Sequence, residues 1–417
     1  MSDLAWIDAA LVSARPQAVA ALLRYFRDLD LAEEAYQDAC LRALKNWPAN
    51  GPPRDPAAWL IMVGRNAAID VTRRRAKQTE LPDEGQISDL SDVEAEVVQR
   101  LDEADYRDDV LRLLFICCHP DLPATQQVAL ALRIVSGLTV PQIARAFLVG
   151  ESAMEQRITR AKAKVAGAGV PFEAPHAAER AERLASVASM VYLVFNEGYS
   201  AADPVSDRAS LCDEAIRLAR LLLRMYPSEP EIMGLLALML LQHSRIAARF
   251  DADGNVILLE AQDRSQWKRP LIQEGLVLID KAMRLRQPGS YQIQAAIAGL
   301  HARAATPGET DWAEIDALYQ ALERLSPSPV VTLNRAVAVA KLSGPQAALD
   351  LIAPLADRLG GYFYFHGARG AFLMELGRNA DAREAFNQAI ALANTPAEAA
   401  HIRQHLDNLA AQSERRS

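Results

Sequence analysis

DLDLAEEAYQDACLRALKNW (28–47), PANGPPRDP (48–56) and AAWLIMVGRNAAIDVTRRR (57–75) run consecutively, and their reading decides the fold. In the first, Leu31, Ala35, Cys40, Leu41, Leu44 and Trp47 recur at helical spacing, with Glu33, Glu34, Gln37 and Asp38 left on other faces. The second is a Pro/Gly-rich break. The third enters a helix through Pro56, a residue suited to a first turn, and runs from an apolar start to a triple arginine. An acidic helix, a loop carrying Trp47 and a helix ending in guanidinium groups predict one small module that grips a protein partner and DNA.

The rest of the chain sets the bounds. Its 417 residues suffice for two or three domains with real cores. Hydrophobic residues make up 50% and charged residues 24%, an ordinary globular balance. Cys40, Cys117, Cys118 and Cys212 lack disulfide-framework spacing, which points to a reducing cytoplasm. The start, MSDLAWIDAALVSARP, has no basic run before an apolar core and does not read as a signal peptide. The apolar run Ile232–Leu241 is too short to span a bilayer. A net charge of −8 confines any nucleic-acid contact to local patches.

Charge is unevenly spread. Arg65, Arg73, Arg74, Arg75 and Lys77 are opposed only by Asp70, whereas from Glu80 to Asp109 acidic residues dominate and face only Arg100 and Arg107. This segment reads as an acidic linker: either a solvated tether, or a DNA mimic that screens basic surfaces. The cluster Cys117-Cys118-His119 has no second pair at ligand spacing, so packing thiols are expected rather than a metal.

A second constellation runs from Gln126 to Lys164. QQVALALRIVSG (126–137) is a helix stopped by Gly137, Thr139 caps VPQIARAF (140–147), and Leu148-Val149-Gly150 forms a tight turn. The next helix carries Ser152, Gln156, Arg157, Arg160, Lys162 and Lys164. Two short helices around a turn, the second polar and basic, fit a helix-turn-helix; a helical hairpin with a solvated basic face is the alternative. In the first reading Gln156 and Arg157 reach base edges, while Arg160, Lys162 and Lys164 neutralise phosphates.

The ordered pair of modules resembles a bacterial sigma factor of the extracytoplasmic-function (ECF) group, which keeps only the second and fourth conserved sigma regions. The resemblance rests on the acidic helix, on WLIMVGRNAAIDVTRRR with its Trp-Leu, Arg-Asn, Asp and terminal arginines, and on the helix-turn-helix. It implies that Glu34, Gln37 and Asp38 bind core RNA polymerase. It also implies that Trp47, Arg65, Asn66, Asp70, Arg73, Arg74 and Arg75 melt and read the minus-ten element. Ser152, Gln156, Arg157, Arg160, Lys162 and Lys164 would read the minus-thirty-five element. One departure is Phe147-Leu148-Val149-Gly150, where many members have Leu-Gly followed by an apolar residue.

Beyond the pair, VYLVFNEGYSA (191–201) offers Tyr192, Phe195, Tyr199, Asn196 and Glu197 either to a pocket or to a packed helix end. ARFDADGNVILLE (248–260) fails as a calcium loop and reads as a small β-hairpin around Asp253-Gly254. Further on, Ile315/Tyr319/Leu322/Pro327, Leu349/Ala353 and Ala382/Phe386/Ala389 recur with a period near 34 residues. The best copy is GARGAFLMELGRNADAREAFNQAIALANTP (367–396), at tetratricopeptide (TPR) spacing. With DRSQWKRPLI, YQIQAAIAGLHA, TDW and SPSPVVTLNRAVAVA, this extension resembles the ECF subgroup that carries a long TPR-like C-terminal domain.

The expectation is an all-α fold. Sigma region 2 occupies 1–78, the acidic linker 79–105, and region 4 the span 106–170. A family-specific helical domain at 171–280 and TPR-like repeats at 281–417, with one small β-hairpin, complete it. The partners are core RNA polymerase, promoter DNA and a protein or small-molecule regulator of the C-terminal domain, with no membrane, cofactor or metal. The chain shows no nucleophile–base pattern, phosphate-cradling loop or metal spacing, which speaks against an enzyme. Two rivals are a DNA-binding regulator that works without polymerase, and a ligand sensor centred on Asn196 and Glu197.

Overall fold

The computed structural model describes residues 5–51, 53–76, 103–167, 177–199, 210–251, 254–393 and 396–414. The acidic linker therefore lies outside the described residues up to position 102. The described residues are helical, joined by turns and short 3-10 segments, and they form no sheet. The chain divides into two compact units, Met1–Glu197 and Gly198–Ser417.

In the first unit α1 (Ala5–Phe26), α2 (Leu29–Asn50) and α3 (Pro56–Ala76) pack against one another. Asp28 caps α2, its Oδ1 accepting from Leu31 N at 3.0 Å. Asp55 starts α3, its Oδ1 accepting from Ala57 N at 2.9 Å and Ala58 N at 3.1 Å. These caps satisfy amides that the first turns leave without intrahelical partners. Helix α2 continues through Pro48 rather than breaking at it. Its buried face is Ala32, Glu33, Ala35, Tyr36, Ala39, Ala43 and Trp47, mostly small residues that let the three helices approach. At the closest point a Cβ on Gly64 would stand 2.7 Å from the Ala35 carbonyl oxygen. Leu41 and Leu44, expected inside, are 59% and 48% exposed, and Glu33, expected outside, is 4% exposed. Ala35 and Trp47 are buried and Glu34 and Gln37 exposed as expected, so the helical period was right and the buried face is rotated only part-way from the expected one.

The same unit continues with α4 (Glu103–Cys117), α5 (Ala124–Ile134), α6 (Val140–Ala146), α7 (Glu151–Gly167) and α8 (Ala177–Tyr199), whose last turn meets the unit boundary. Helix α4 packs on α1, and the Arg183 guanidinium of α8 lies 4.2 Å from the Phe115 ring centroid of α4. Cys117 and Cys118 are buried, and burial raises both thiols above their ordinary range, so they remain protonated packing groups.

The second unit holds α9 (Ser210–Met225), α10 (Pro230–His243), α11 (Arg269–Arg284), α12 (Ser290–Arg303), α13 (Trp312–Leu325) and α14 (Pro329–Ser343). It continues with α15 (Pro345–Ile352), α16 (Ala356–Leu359), α17 (Phe363–Glu375), α18 (Asn379–Ala391) and α19 (Pro396–Glu414). Helix α10 is apolar on all sides and sits between α11 and α12. From α12 onward the core is a succession of clusters, each joining neighbouring helices. Ile293, Ile315 and Leu322 form one, Leu333, Ile352 and Phe372 the next, and Leu373, Phe386 and Ile402 the last. Stability in such an array is local, each helix pair depending on its neighbours. Gly370 allows the tightest approach in the final cluster, since a Cβ there would fall 2.5 Å from the Phe386 ring. The expected β-hairpin is reduced, among the described residues, to one antiparallel bridge between Phe250 and Val256.

Candidate nucleic-acid interface

On α2, Glu34 and Gln37 are exposed and Asp38 is half-buried, so this acidic surface is open to a partner. On α3, Arg65 and Asn66 are exposed, with the Arg65 guanidinium 4.7 Å from the ring centroid of the half-exposed Tyr25 on α1. Asp70, Arg73, Arg74 and Arg75 continue the same helix, and their side chains lie outside the described residues. Trp47 is only 3% exposed. Trp6 stacks on it at 6.2 Å and Trp59 meets it edge-on at 5.3 Å, so its ring is core packing in this arrangement. A base could reach it only after those rings parted. The aromatic side chain at the surface beside Arg65 is Tyr25, which sequence reasoning did not single out.

The helix-turn-helix is built by local signals. Thr139 and Gln142 form a capping box: Thr139 N donates to Gln142 Oε1 at 2.8 Å, and Gln142 N donates to Thr139 Oγ1 at 3.4 Å. Leu148 then takes φ +53° with 78% of its surface exposed, and Val149 N reaches back to the Ala144 carbonyl at 3.0 Å. This is a left-handed helix terminus of the kind glycine usually occupies. Helix α7 buries Met154, Ile158, Ala161 and Val165. Ser152, Gln156 and Arg160, four residues apart, form an exposed stripe with Lys164 beside it and Arg157 half-buried. Lys164 donates to the Asp121 carbonyl at its edge.

Lys162 stands apart from that stripe. At about 100° per residue it lies roughly 120° around the helix from Gln156. Its Nζ is 2.6 Å from Asp30 Oδ1 and 2.6 Å from Glu33 Oε2, both on α2. Burial alone would lower its pKa, but the hydrogen bonds to Asp30 and Glu33 outweigh burial and hold it above the ordinary lysine value. The buried Glu33 is shared further. Arg15 Nη2 of α1 approaches Glu33 Oε1 at 3.1 Å, and Arg133 Nε of α5 lies 3.8 Å from the same oxygen. Arg15 also donates to the Ile134 carbonyl at 2.9 Å and the Arg133 carbonyl at 3.2 Å, and rests on the Tyr36 ring at 4.9 Å. Gly137 makes room for it, because a Cβ there would fall 2.8 Å from Arg15 Cδ. A second tie joins Arg24 of α1 to Asp109 of α4 at 3.2 Å. The two modules thus meet through charge: one buried carboxylate of α2 answers three cations from α1, α5 and α7. Between α2 and α7 runs a groove of about 370 Å³ that Asp30, Arg133 and Lys162 help to line.

Known families match these modules in chain order. The sigma-70 region 2 family matches residues 11–78, and the sigma-70 region 4 family matches 112–165. An uncharacterized protein of Rhizobium meliloti (strain 1021) is 70% identical over 413 residues, covering 99% of this chain and 98% of its own. The chain belongs to the sigma-70 family as an ECF-like sigma factor with a fused C-terminal domain. Within that domain, residues 183–283 match a family of unknown function (DUF6596). No solved structure matches the chain. As a sigma factor it serves promoter-specific transcription initiation with core RNA polymerase and promoter DNA, and it is a DNA-binding regulator rather than an enzyme. Among the described residues no helix is long and apolar enough to cross a membrane.

Proposed function

We propose that this sigma factor binds core polymerase through Glu34, Gln37 and Asp38, and acts in the cytoplasm beside that enzyme. The minus-ten element is taken by Arg65, Asn66, Asp70, Arg73, Arg74 and Arg75, with Trp47 reached only on rearrangement. The minus-thirty-five element is read by Ser152, Gln156 and Arg157, while Arg160 and Lys164 neutralise phosphates. Lys162 is a positioning residue between the modules, and the TPR-like extension regulates activity.

The observation that carries this reading is that the exposed stripe of α7 and the acidic face of α2 both stay open while Glu33 holds their modules together. Elements named for positions ten and thirty-five lie about 25 base pairs apart, roughly 85 Å of duplex at 3.4 Å per step. A compact unit of about 200 residues is only about 40 Å across. Both elements cannot be read at once with Lys162 against Glu33, so initiation requires these modules to part. The chain between Ala76 and Glu103 has 26 residues and a reach of at most about 90 Å, enough for that separation.

Transcription from a promoter library with purified core polymerase is the test. Charge reversal at Glu34 and Asp38 should abolish polymerase binding and leave duplex binding intact. Unchanged polymerase binding would favour the regulator that works without polymerase. A chain ending at Ser200, which keeps α8 whole, tests the regulatory role; promoter-specific output equal to that of the full chain would sink it.

A further inference from the structure

Several strings that the sigma function does not absorb converge in the second unit. Tyr199, from VYLVFNEGYSA, carries the Arg249 guanidinium 3.6 Å from its ring centroid and the Arg245 guanidinium at 6.0 Å. Arg249 also donates to the Tyr199 carbonyl. From DRSQWKRPLI, Arg264 lies 4.8 Å over Trp267 and donates to the carbonyls of His301 and Ala304, closing the end of α12. His301, from YQIQAAIAGLHA, meets Trp312 of TDW edge-on at 5.3 Å.

Arg249 and Arg264 thus serve helix ends, where carbonyl dipoles favour a cation. Arg245 does not. Among the described residues its half-buried guanidinium has no hydrogen bond and no ion pair. Trp267 is 5% exposed and its indole N–H has no hydrogen-bond partner. Both line a cavity of about 30 Å³ with Leu241, Leu259, Ala298 and His301. Burial, then the charges of Arg245 and Arg264, push the His301 pKa down to about 4, so the ring is neutral at pH 7. The site therefore joins a cation that, among the described residues, has a ring contact but no hydrogen-bond acceptor to a buried donor without a partner, and buried polar groups of this kind are normally paired.

We propose that this pocket binds a carboxylate, from a small organic acid or a peptide terminus, between the Arg245 guanidinium and the Trp267 indole N–H. The size fits: the cavity has room for about two water-sized atoms, as the two carboxylate oxygens require. Guanidinium and carboxylate pair through charge-assisted hydrogen bonds, and the apolar lining takes the carbon that bears them. The pocket deepens the proposed regulation by giving it a ligand class, and rests on that reading only for its effect on transcription.

Binding is read on the full-length protein, without polymerase or promoter. Thermal unfolding is followed in sodium acetate and in sodium chloride of equal ionic strength. Calorimetry then compares acetate with an N-acetylated Ala-Ala dipeptide as free acid and as C-terminal amide. Acetate should raise Tm beyond chloride, and the free acid should bind where the amide does not. An equal response to acetate and free acid marks the carboxylate alone as the ligand, and a tighter free acid marks a peptide terminus. Arg245→Gln and Trp267→Phe, which lose no native hydrogen bond, should each weaken binding about tenfold. Acetate acting no differently from chloride, with no saturable binding of the free acid, would overturn the pocket and leave the sigma assignment standing. Wild-type affinity in both folded variants would overturn it equally.

Discussion

Lys162 and Glu33 are 129 residues apart in sequence and 2.6 Å apart in space, which makes a basic residue of α7 a counter-ion for α2. Glu33 is buried, so its charge cannot be handed back to water while the modules touch. Glu33→Gln keeps the shape and removes the charge that Arg15, Arg133 and Lys162 share. Breaking one side of a buried ion pair costs about 3–5 kcal/mol. Urea unfolding should show a loss of that order, and small-angle scattering a larger radius of gyration. Unfolding at the wild-type midpoint would show that the charges do not hold the contact.

Trp47 makes a different demand. Emptying the space between Trp6 and Trp59 should cost about 3–5 kcal/mol, the range for large aromatic truncations in a core. Trp47→Ala should therefore lower Tm steeply before any effect on promoter opening can be read, whereas Trp47→Phe should keep most of the stability. A Trp47→Ala protein as stable as wild type but defective in opening would place the ring at DNA instead.

Leu148 holds a left-handed conformation that costs a side-chain-bearing residue about 1–2 kcal/mol. Its surface is largely exposed, so little packing offsets that cost. Leu148→Gly should stabilise the helix-turn-helix by roughly 0.5–1 kcal/mol after the added chain entropy of glycine. Denaturant unfolding of the pair of proteins is the measurement.

His301 sets an acid limit on the second unit. Its ordinary value is 6.5 and the fold lowers it to about 4. Between those values the unfolded chain takes up a proton that the folded chain refuses. Stability is therefore full above about pH 6.5 and falls as pH drops toward 4, by up to about 3 kcal/mol. Burial lowers His401 and His405 in the same direction. Unfolding free energies from pH 7.5 to 4.5 should fall accordingly, and His301→Gln should flatten the slope.

Gly370 is required by contact rather than by backbone angle. An added methyl would meet the fully buried Phe386 ring, and overpacking of this kind costs about 1–3 kcal/mol. Gly370→Ala should lower the unfolding transition of the C-terminal helices, while Gly367→Ala, whose Cβ would have an ordinary 3.5 Å contact with Ile402, should not.

The sequence by itself determined the helical class, the order of the modules and several helix ends, though α2 runs on through Pro48. Asp28, Asp55, Thr139 and Gly137 act on residues within a turn of themselves, so their signals are local and survive any tertiary arrangement. It also placed Glu34, Gln37, Gln156 and Arg160 on surfaces, because helical period assigns faces. Which face turned inward was not legible where small residues, rather than large apolar ones, made the contact. Ala32, Ala35 and Ala39 pack while Leu41 and Leu44 face out, since the helices meet most closely where small residues, Ala35 against Gly64, face each other. Tertiary structure alone decided the partners of Glu33, drawn from α1, α5 and α7, because a charge carries no periodicity and its partner is chosen by proximity. It decided in the same way that Trp47 is core, and that Arg245 meets Trp267 and His301 at one cavity. Sequence spacing orders residues along a helix; only packing brings separate helices to a common point.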